Sequence, residues 1–337
     1  MKLGKWDLAR IREWYKTQFP IFGCNYVPSF AVNSTEMWQC FDELTEETVR
    51  SELTLAAATS MNSVRVFLQF IVWEHDPDEF KKRFDRFLHL ASGCGLSVMP
   101  ILFDDCAFSG KEPYPGPQNP PVPGVHNSGW TASPGFTRAD DPEYLPKLQA
   151  YVLDVVGSFK DDERIVVWDM YNEPGNSDRG DRSMPLLRAA FKWSRDANPS
   201  QPLTAGCWSW ENPLFGVEIA ALELSDIVSF HSYNDVSVTT RQIEMLQGFN
   251  RPLLCTEWLH RPNNNHVSSH LPLFKDYKIG IYNWGLVQGR TQTNLSWSTM
   301  NGEPDPDPVI WQHDFYTPEH IPYCADEIVL LKSFTEV

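Results

Sequence analysis

The apolar run that decides the fold lies at residues 164–174 and reads RIVVWDMYNEP. Its length and its β-branched and aromatic side chains are typical of a buried strand, and Pro174 ends it. Residues 252–258, PLLCTEW, repeat this pattern later in the chain. Each run closes on polar side chains, which include Glu173 in the first and Glu257 in the second. The sequence therefore predicts two buried strands that each carry a glutamate at the C-terminal end.

Six further runs of strand length occur along the chain, and amphipathic stretches of helical length lie between the eight runs. This alternation indicates repeated βα units and a parallel sheet. Eight such units close most naturally into a (β/α)8 TIM barrel, so we expect an α/β fold with a single domain over residues 1–337. The predicted strands are 21–28, 63–70, 96–103, 164–171, 202–208, 227–233, 252–258 and 279–284.

The stretches between the strands show the periodicity of helices that are buried on one face. In residues 78–92, for example, Phe80, Phe84 and Phe87 recur at helical spacing. A helix over residues 5–16, within an N-terminal segment 1–20, is expected to cap the bottom of the barrel. The other predicted helices are 45–59, 78–92, 142–159, 184–197, 217–224, 239–247, 268–277 and 325–334.

Two of the loops that follow predicted strands are much longer than the others. Residues 104–141 follow strand three and residues 287–318 follow strand eight, and both combine many prolines with aromatic residues such as Trp130 and Trp297. A barrel of this kind carries its active site on the loops at the C-terminal strand ends. We expect both long loops to be structured walls of the barrel mouth.

The composition disfavours several classes of partner and location. With 28 basic and 44 acidic residues, the formal charge of −16 disfavours nucleic acid and anionic membranes. No stretch approaches the ~18 uninterrupted apolar residues of a membrane span. The first twenty residues lack the apolar core of a signal peptide, so we expect a cytoplasmic protein, or a secreted one if a leader was removed. The seven scattered cysteines are expected to be reduced core residues.

Closure of the barrel would bring together polar and aromatic side chains that are far apart in sequence. Glu173 and Glu257 are central, because two carboxylates on rigid strand ends can act as proton donor and nucleophile in retaining glycoside hydrolysis. An arginine inside the second apolar run, Arg65, needs a buried acceptor, and Glu257 is the obvious candidate. The other members of this set are Asn172, His231, Tyr233 and Trp284.

Four motifs resemble, in their order along the chain, those of the retaining β-glycosidases of clan A, particularly the family 5, cellulase-like glycoside hydrolases. They are Asn172-Glu173-Pro174 on strand four, His231-Ser232-Tyr233 on strand six, Thr256-Glu257-Trp258 on strand seven and Trp284 on strand eight. The resemblance spans about residues 20–334. It implies an O-glycosyl hydrolase that cleaves β-linked oligosaccharides by double displacement, with no cofactor and no metal.

The resemblance also implies roles for the acidic pair and its partners. Glu173 would be the general acid and then the general base, and Glu257 would be the nucleophile. Arg65 and Tyr233 would hydrogen-bond Glu257 and keep it ionised, since an arginine within a few ångströms depresses a carboxyl pKa.

Further residues are expected to contact or orient the sugar. Asn172 would reach the sugar 2-hydroxyl, His231 would orient Glu173 or a sugar hydroxyl, and Trp284 would form an apolar floor under the sugar ring. Additional substrate contacts are predicted at His126, Trp208 and Gln288.

Several alternatives stay open at this point. The bulky loops favour an exo-acting enzyme, but an endo-acting β-glycanase for glucan, mannan or xylan and an inert sugar-binding barrel are competing interpretations. A metal-dependent barrel hydrolase is disfavoured, because strand one offers Asn25 where such enzymes need a pair of histidines. The sugar, its linkage and the oligomeric state do not follow from the sequence.

Overall fold

The fold is built on one parallel sheet. The computed structural model describes residues 4–210 and 214–335, and within them nine parallel strands are hydrogen-bonded in a single sheet. The strands are β1 Phe22–Asn25, β2 Ser63–Phe67, β3 Ser97–Asp104, β4 Trp168–Asn172, β5 Leu203–Thr204, β6 Gly206–Cys207, β7 Val228–His231, β8 Leu253–Glu257 and β9 Gly280–Trp284.

The sheet closes into a barrel of eight strand positions. β5 and β6 are two halves of one extended segment, which is interrupted at Ala205. Leu203 pairs with Trp168 of β4 on one side, and Gly206 pairs with Ser229 of β7 on the other. β1 pairs with both β2 and β9. The predicted (β/α)8 barrel is confirmed, with a strand at each of the eight predicted positions.

Helices surround the barrel at the predicted places. The helix predicted over 184–197 has the same bounds in the structure, whereas the others shift by a few residues at their ends. Three short helices, Ser34–Gln39, Phe70–His75 and Phe136–Asp140, were not predicted. The helices of the described residues are α1 Leu8–Gln18, α2 Ser34–Gln39, α3 Glu43–Ala58, α4 Phe70–His75, α5 Pro77–Gly93, α6 Phe136–Asp140, α7 Leu145–Ser158, α8 Met184–Ala197, α9 Gly216–Leu224, α10 Val236–Gln247, α11 Val267–Asp276 and α12 Ala325–Lys332, with 3-10 turns at Pro142–Tyr144, Gly180–Ser183, Arg261–Asn263 and Trp297–Asn301.

The predicted strand 63–70 is too long at its C-terminal end. β2 stops at Phe67, and α4 begins at Phe70. Phe70 and its three successors are all buried. A short helix that is apolar on every side has no periodicity that distinguishes it from a strand, which explains the error.

The first helix lies under the barrel. The Tyr15 hydroxyl accepts from the main-chain N–H of Gly280 at 2.7 Å and donates to the Lys278 carbonyl at 2.8 Å. The main-chain N–H of Trp6 donates to Asp226 at 2.8 Å. Because these partners precede β7 and β9 or begin them, α1 covers the N-terminal strand ends. The opposite face, at the C-terminal strand ends, stays open to ligands.

The two long loops meet over one side of that open face. The Gln292 side-chain amide donates to the carbonyls of Val122 and Val125 at 2.8 and 2.9 Å and accepts from the Gly124 N–H at 2.9 Å. The Asn127 N–H donates to the Thr291 carbonyl at 2.8 Å. These hydrogen bonds join the loop after β3 to the loop after β9, and we call this junction the loop clamp.

Two properties of the chain bear on its environment. All seven cysteines are free thiols. None of the helices within residues 4–210 and 214–335 has the length and apolar character needed to cross a membrane.

Candidate active site

The two predicted glutamates face each other across the barrel mouth. Glu257 is the last residue of β8, and Glu173 follows directly after β4. One carboxylate oxygen of each lies within 4.8 Å of the other and of a ring nitrogen of His231. Retaining glycosidases hold their two carboxyl groups roughly 5–5.5 Å apart, whereas inverting enzymes need room for a water molecule between them. The pair therefore has the spacing of a retaining site.

A sharp turn directs Glu173 into the mouth. Its φ is +44°, in the left-handed region that non-glycine residues with long side chains seldom adopt. The main-chain N–H of Gly175, two residues on, donates to Asp105 at 2.7 Å, which anchors the turn from the end of β3. Strained backbone conformations of this kind cluster at functional sites, and they persist only where the surrounding structure stabilises them.

The Glu173 carboxylate contacts three side chains. Its Oε1 lies 2.6 Å from Nδ1 of His231. Its Oε2 accepts from the Asn176 amide at 2.5 Å and from the Cys106 thiol at 3.2 Å. Burial raises the pKa of Glu173, and the donors from Cys106 and Asn176 oppose that rise. A raised pKa suits a group that must hold a proton until the leaving oxygen takes it.

His231 is neutral, because burial lowers its pKa to about 4. A neutral imidazole has one N–H, and Nε2 has no hydrogen-bond partner among the described residues. A hydrogen on Nε2 would leave a buried donor unpaired, so we assign it to Nδ1, which donates to Oε1 of Glu173. The transferable proton of Glu173 then belongs on Oε2.

Glu257 accepts hydrogen bonds from a cation and a phenol. Arg65 donates to its Oε1 at 3.0 Å and the Tyr233 hydroxyl donates to its Oε2 at 2.7 Å. Arg65 and Tyr233 lower the pKa of Glu257, as expected, but burial and the charge of Glu173 outweigh them, so the net shift of that pKa is upward. Of the two glutamates, Glu257 alone touches a guanidinium. The negative charge of the pair therefore rests on Glu257 and the proton on Glu173.

Asp169 is the partner of Arg65 that sequence reasoning missed. Arg65 is fully buried and donates to Asp169 at 3.0 and 2.8 Å, as well as to Asn25 at 2.6 Å and Asn172 at 2.7 Å. The sequence does contain a feature that could have identified it, because Asp169 is the one charged residue within the apolar run of residues 165–171 and would need a buried partner. Arg65 lies behind Glu257 and outside the cavity lining, so it orients the Glu257 carboxylate.

Asn172 is held from both sides. Its Oδ1 accepts from Arg65, and its Nδ2 donates to Asp104 at 2.9 Å. Asp104 also accepts from the Trp130 indole at 2.8 Å, and burial raises its pKa to about 7. The amide nitrogen of Asn172 also lies 3.6 Å from Sγ of Cys106, to which its second hydrogen can donate, so the predicted contact of Asn172 to a sugar hydroxyl stays a prediction.

A cavity of about 640 Å³ opens beside the pair. Trp284 forms part of its wall and packs edge-on against Phe67 and Trp130, with ring centroids 5.6 and 6.0 Å apart. The predicted contacts Asn172, His126, Trp208, His231 and Tyr233 also line it. The remaining lining residues are Cys106, Phe108, Asn127, Trp130, Asn176, Ser209, Trp210, Asn234, Val238, Gln242, His260, Asn263, Trp297, Met300 and His313.

Gln288 does not line the cavity. The chain turns away from the barrel at Gly285, where φ is +77°, and Val287 then pairs with Tyr316 in a parallel bridge. The main-chain N–H of Gln288 donates to the carbonyl of Tyr316 at 2.8 Å. The structure therefore gives no support to the sugar contact predicted for Gln288, which was placed by counting from the strand end.

Glu173, His231 and Glu257 are close enough together to hold a cation. The surroundings oppose one, since the Arg65 guanidinium lies 3.0 Å from Glu257 and the Tyr233 hydroxyl already occupies the other oxygen. A cation would have to bind against the charge of Arg65. Hydrogen bonds from Arg65 and Tyr233 are suited to a carboxylate that reacts with a substrate, and less suited to a carboxylate that binds a metal ion.

No family profile matches the chain, and no curated protein matches it in sequence. Solved structures do resemble it in fold. GH5_18 from Streptomyces cattleya, in complex with GlcNAc, has a TM-score of 0.63 at 15% identity, over 94% of this chain and 80% of that one. The exo-beta-1,4-mannosidase Op5Man5 from Opitutaceae bacterium strain TAV5 has a TM-score of 0.66 at 17% identity, over 94% of this chain and 60% of that one.

An endo-acting enzyme is similar as well. The endo-beta-1,4-mannanase from Thermotoga petrophila has a TM-score of 0.60 at 11% identity, over 96% of this chain and 77% of that one. Identities this low establish the fold alone. The chain has the (β/α)8 barrel fold of the family 5 glycoside hydrolases of clan A, the group that its motifs resemble.

Proposed function

We propose that the protein is a retaining β-glycoside hydrolase, with Glu173 as acid and base and Glu257 as nucleophile. The observation that carries this proposal is the asymmetry of the pair. Glu257 accepts from Arg65 and Tyr233, whereas Glu173 lies among neutral donors. One carboxylate is thereby kept charged for attack and the other can hold a proton.

In the first step, the Glu257 carboxylate attacks the anomeric carbon as the bond to the leaving oxygen breaks. Glu173 transfers its proton to that oxygen, and the product is a glycosyl ester on Glu257 together with a free alcohol. The ionised Glu173 is then stabilised by Asn176, Cys106 and His231.

In the second step, a water molecule takes the place of the departed alcohol. Glu173 removes a proton from the water as its oxygen attacks the anomeric carbon, and the ester bond to Glu257 breaks. The sugar leaves with its original anomeric configuration. Both glutamates return to their starting protonation states, so the cycle closes without a cofactor.

We further propose exo-action. The loop clamp, formed by Gln292 with Val122, Val125 and Gly124, closes one side of the mouth. His126 adds to this wall, since its Nδ1 lies 2.8 Å from the carbonyl of Leu295 and its N–H donates to Thr299 at 2.9 Å. A groove that admits the middle of a polymer must be open at both ends. A cavity closed on one side suits the chain end of an oligosaccharide.

The substrate class we propose is a neutral sugar. Among the described residues that line the cavity, none is a lysine or arginine, and the only carboxylates are Glu173 and Glu257. A uronic acid or a phosphorylated sugar would place a negative charge in a cavity whose described lining offers no basic side chain to balance it. Neutral β-mannosides belong in the first test, because the similar solved structures include a mannosidase and a mannanase.

The test is hydrolysis of a panel of nitrophenyl β-glycosides and β-linked oligosaccharides, with the anomeric configuration followed by NMR during early turnover. Retention, and release of monosaccharide from one chain end, are the expected results. Release of internal fragments would indicate the endo-acting alternative. Binding without turnover would indicate an inert sugar-binding barrel, and loss of activity on adding a chelator would indicate the metal-dependent alternative.

A further inference from the structure

Two donors from different loops converge on a single oxygen of Glu173. The Cys106 thiol, from the loop after β3, lies 3.2 Å from Oε2, and the Asn176 amide, from the loop after β4, lies 2.5 Å from it. Both side chains line the cavity. Because Oε1 is occupied by His231, Oε2 is the oxygen that would exchange a proton with a substrate.

Each donor is itself fixed in place. The Oδ1 of Asn176 accepts from the main-chain N–H of Ser177 and from its hydroxyl at 3.1 Å, so the amide nitrogen must face Glu173. The main-chain N–H of Cys106 donates to Asp104 at 3.0 Å, and its Sγ lies 3.6 Å from the amide nitrogen of Asn172. Cys106 is only 5% exposed. Neither contact is a chance encounter of mobile surface groups.

We propose that Cys106 and Asn176 are positioning residues that hold Oε2 of Glu173 and set the balance between its protonated and ionised forms. This inference rests on the proposed function, since it assigns a purpose to the proton on Glu173. Glu173 must be protonated in the first step and ionised in the second. The two donors favour the ionised form and so make the proton easier to release.

The thiol suits this alternation for a chemical reason. A thiol is a weak donor and a weak acceptor, so Cys106 can donate to ionised Glu173 or accept from the protonated acid by rotating its hydrogen. Burial raises the pKa of Cys106 well above its usual value, which keeps the hydrogen in place. Asn176 donates in both states. Oε2 of Glu173 therefore has one partner, Asn176, that donates in both states, and a second, Cys106, that can change from donor to acceptor.

Other charged or titratable groups act on Glu173 from the surrounding elements. Arg65 on β2 lowers its pKa, and Glu218 on α9 raises it. Removal of a donor leaves these influences in place and destabilises the ionised form of Glu173 more than the protonated form, because a hydrogen bond to a charged acceptor is the stronger one. The remaining groups in this field are Asp104, His231, Tyr233 and Glu257.

The experiment compares the pH dependence of kcat/KM for C106A and N176A with that of the parent, using an aryl glycoside with a poor leaving group. The basic limb reports ionisation of the general acid, so both variants are expected to move it to higher pH, and the double variant further than either. C106S retains a donor, and a hydroxyl is a stronger donor than a thiol, so its basic limb should lie below that of C106A, at or under the pH of the parent limb. C24A, which removes a buried thiol on β1 away from Glu173, is the control and should leave the limb in place.

Unchanged basic limbs in C106A and N176A would overturn the inference, and so would an equal shift in C24A. A dinitrophenyl glycoside supplies a second contrast, because its departure needs little protonation. With the dinitrophenyl glycoside, the basic limb of the kcat/KM profile should lie at the same pH in the parent and in all the variants. A general structural defect would move or lower the profiles of both substrates alike.

A measurement without turnover separates this inference from the proposed function. The infrared S–H stretch of Cys106 is identified as the band lost in C106S. At a pH above the basic limb, where Glu173 is ionised and accepts from the thiol, this band should lie at lower wavenumber than in E173A, where the thiol has lost its acceptor. A band unaffected by E173A would overturn the contact even in an active enzyme, whereas the shift without any glycosidase activity would contradict the proposed function and leave the contact standing.

Discussion

The guanidinium of Arg65 joins Asp169 to Glu257. It lies 2.8 Å from the first carboxylate and 3.0 Å from the second, and the side chains of Arg65 and Asp169 are fully buried. Glu257 thus shares its cation with a carboxylate on the other side of the barrel interior. In the proposed mechanism, Asp169 neutralises Arg65 when Glu257 becomes an ester, so the cation keeps a buried counter-charge in that step.

Asp169→Ala should therefore destabilise the protein strongly. Removal of one partner of a buried pair leaves an uncompensated charge and costs about 3–5 kcal/mol. Urea denaturation should show the loss. As a matched control, Asp85→Ala removes the exposed partner of Arg164 and should cost less than about 1 kcal/mol. Equal, small effects of both substitutions would contradict the role given to Asp169.

The stability contributed by Asp314 should fall as the pH rises from about 4 to about 7. Asp314 is buried, with one oxygen that has no partner among the described residues, and burial raises its pKa from 3.8 to about 7. A carboxyl with a raised folded-state pKa binds more protons when folded, so its contribution is complete at low pH and is lost as the pH passes the folded value. Asp104 behaves alike, with a pKa of about 7.

Asp314→Asn should flatten this dependence, because an amide does not titrate. Free energies of unfolding from urea curves at several pH values provide the measurement. A slope that is the same in Asp314→Asn and in the parent would show that Asp314 does not titrate in this range.

Gln292→Ala should relax the loop clamp. It removes hydrogen bonds to Val122, Val125 and Gly124, each worth about 0.5–1.5 kcal/mol. We expect the ratio of activity on long oligosaccharides to activity on disaccharides to rise. Gln247→Ala, at the exposed end of α10, is the control and should leave the ratio unchanged. If the ratio stays constant in Gln292→Ala, the clamp does not impose exo-action.

Glu173→Ala should slow hydrolysis according to the leaving group. General acid catalysis contributes about 10²–10⁴-fold, and we expect a loss in this range for alkyl glycosides and for oligosaccharides. Dinitrophenyl glycosides should lose far less in the first step, because their leaving group departs as an anion. Steady-state and burst kinetics across a leaving-group series would show the contrast. An equal loss for all leaving groups would exclude Glu173 as the acid.

The barrel and its acidic pair could be predicted because both follow from local pattern. The apolar runs ending in Glu173 and Glu257 fix two strands, and the topology of a parallel barrel then brings their ends together. The motif on strand six supplied the neighbours His231 and Tyr233, and Arg65 was found as an arginine within an apolar run. In each case the strand end determines where the side chain points.

The residues that were missed or misplaced depend on contacts between distant loops. Asp169 stands out as a charged residue within an apolar run, but Arg65, its partner in the structure, was predicted to pair with Glu257 alone. Cys106 and Asn176 reach Glu173 from loops whose paths no periodicity records. Gln288 was placed by its distance from a strand end, and the turn at Gly285 carries it away from the cavity.

The central claim is that Glu257 forms a covalent bond to the sugar. The fluorine of a 2-fluoro glycoside slows both steps, and a dinitrophenyl leaving group speeds the first step again, so incubation with this reagent should trap the glycosyl-enzyme. Mass spectrometry of the intact protein and of its proteolytic peptides should show one added fluoro-sugar, attached at Glu257, and Glu257→Gln should acquire none. Turnover of the natural substrate without a trapped ester, or an ester on any other residue, would contradict the account.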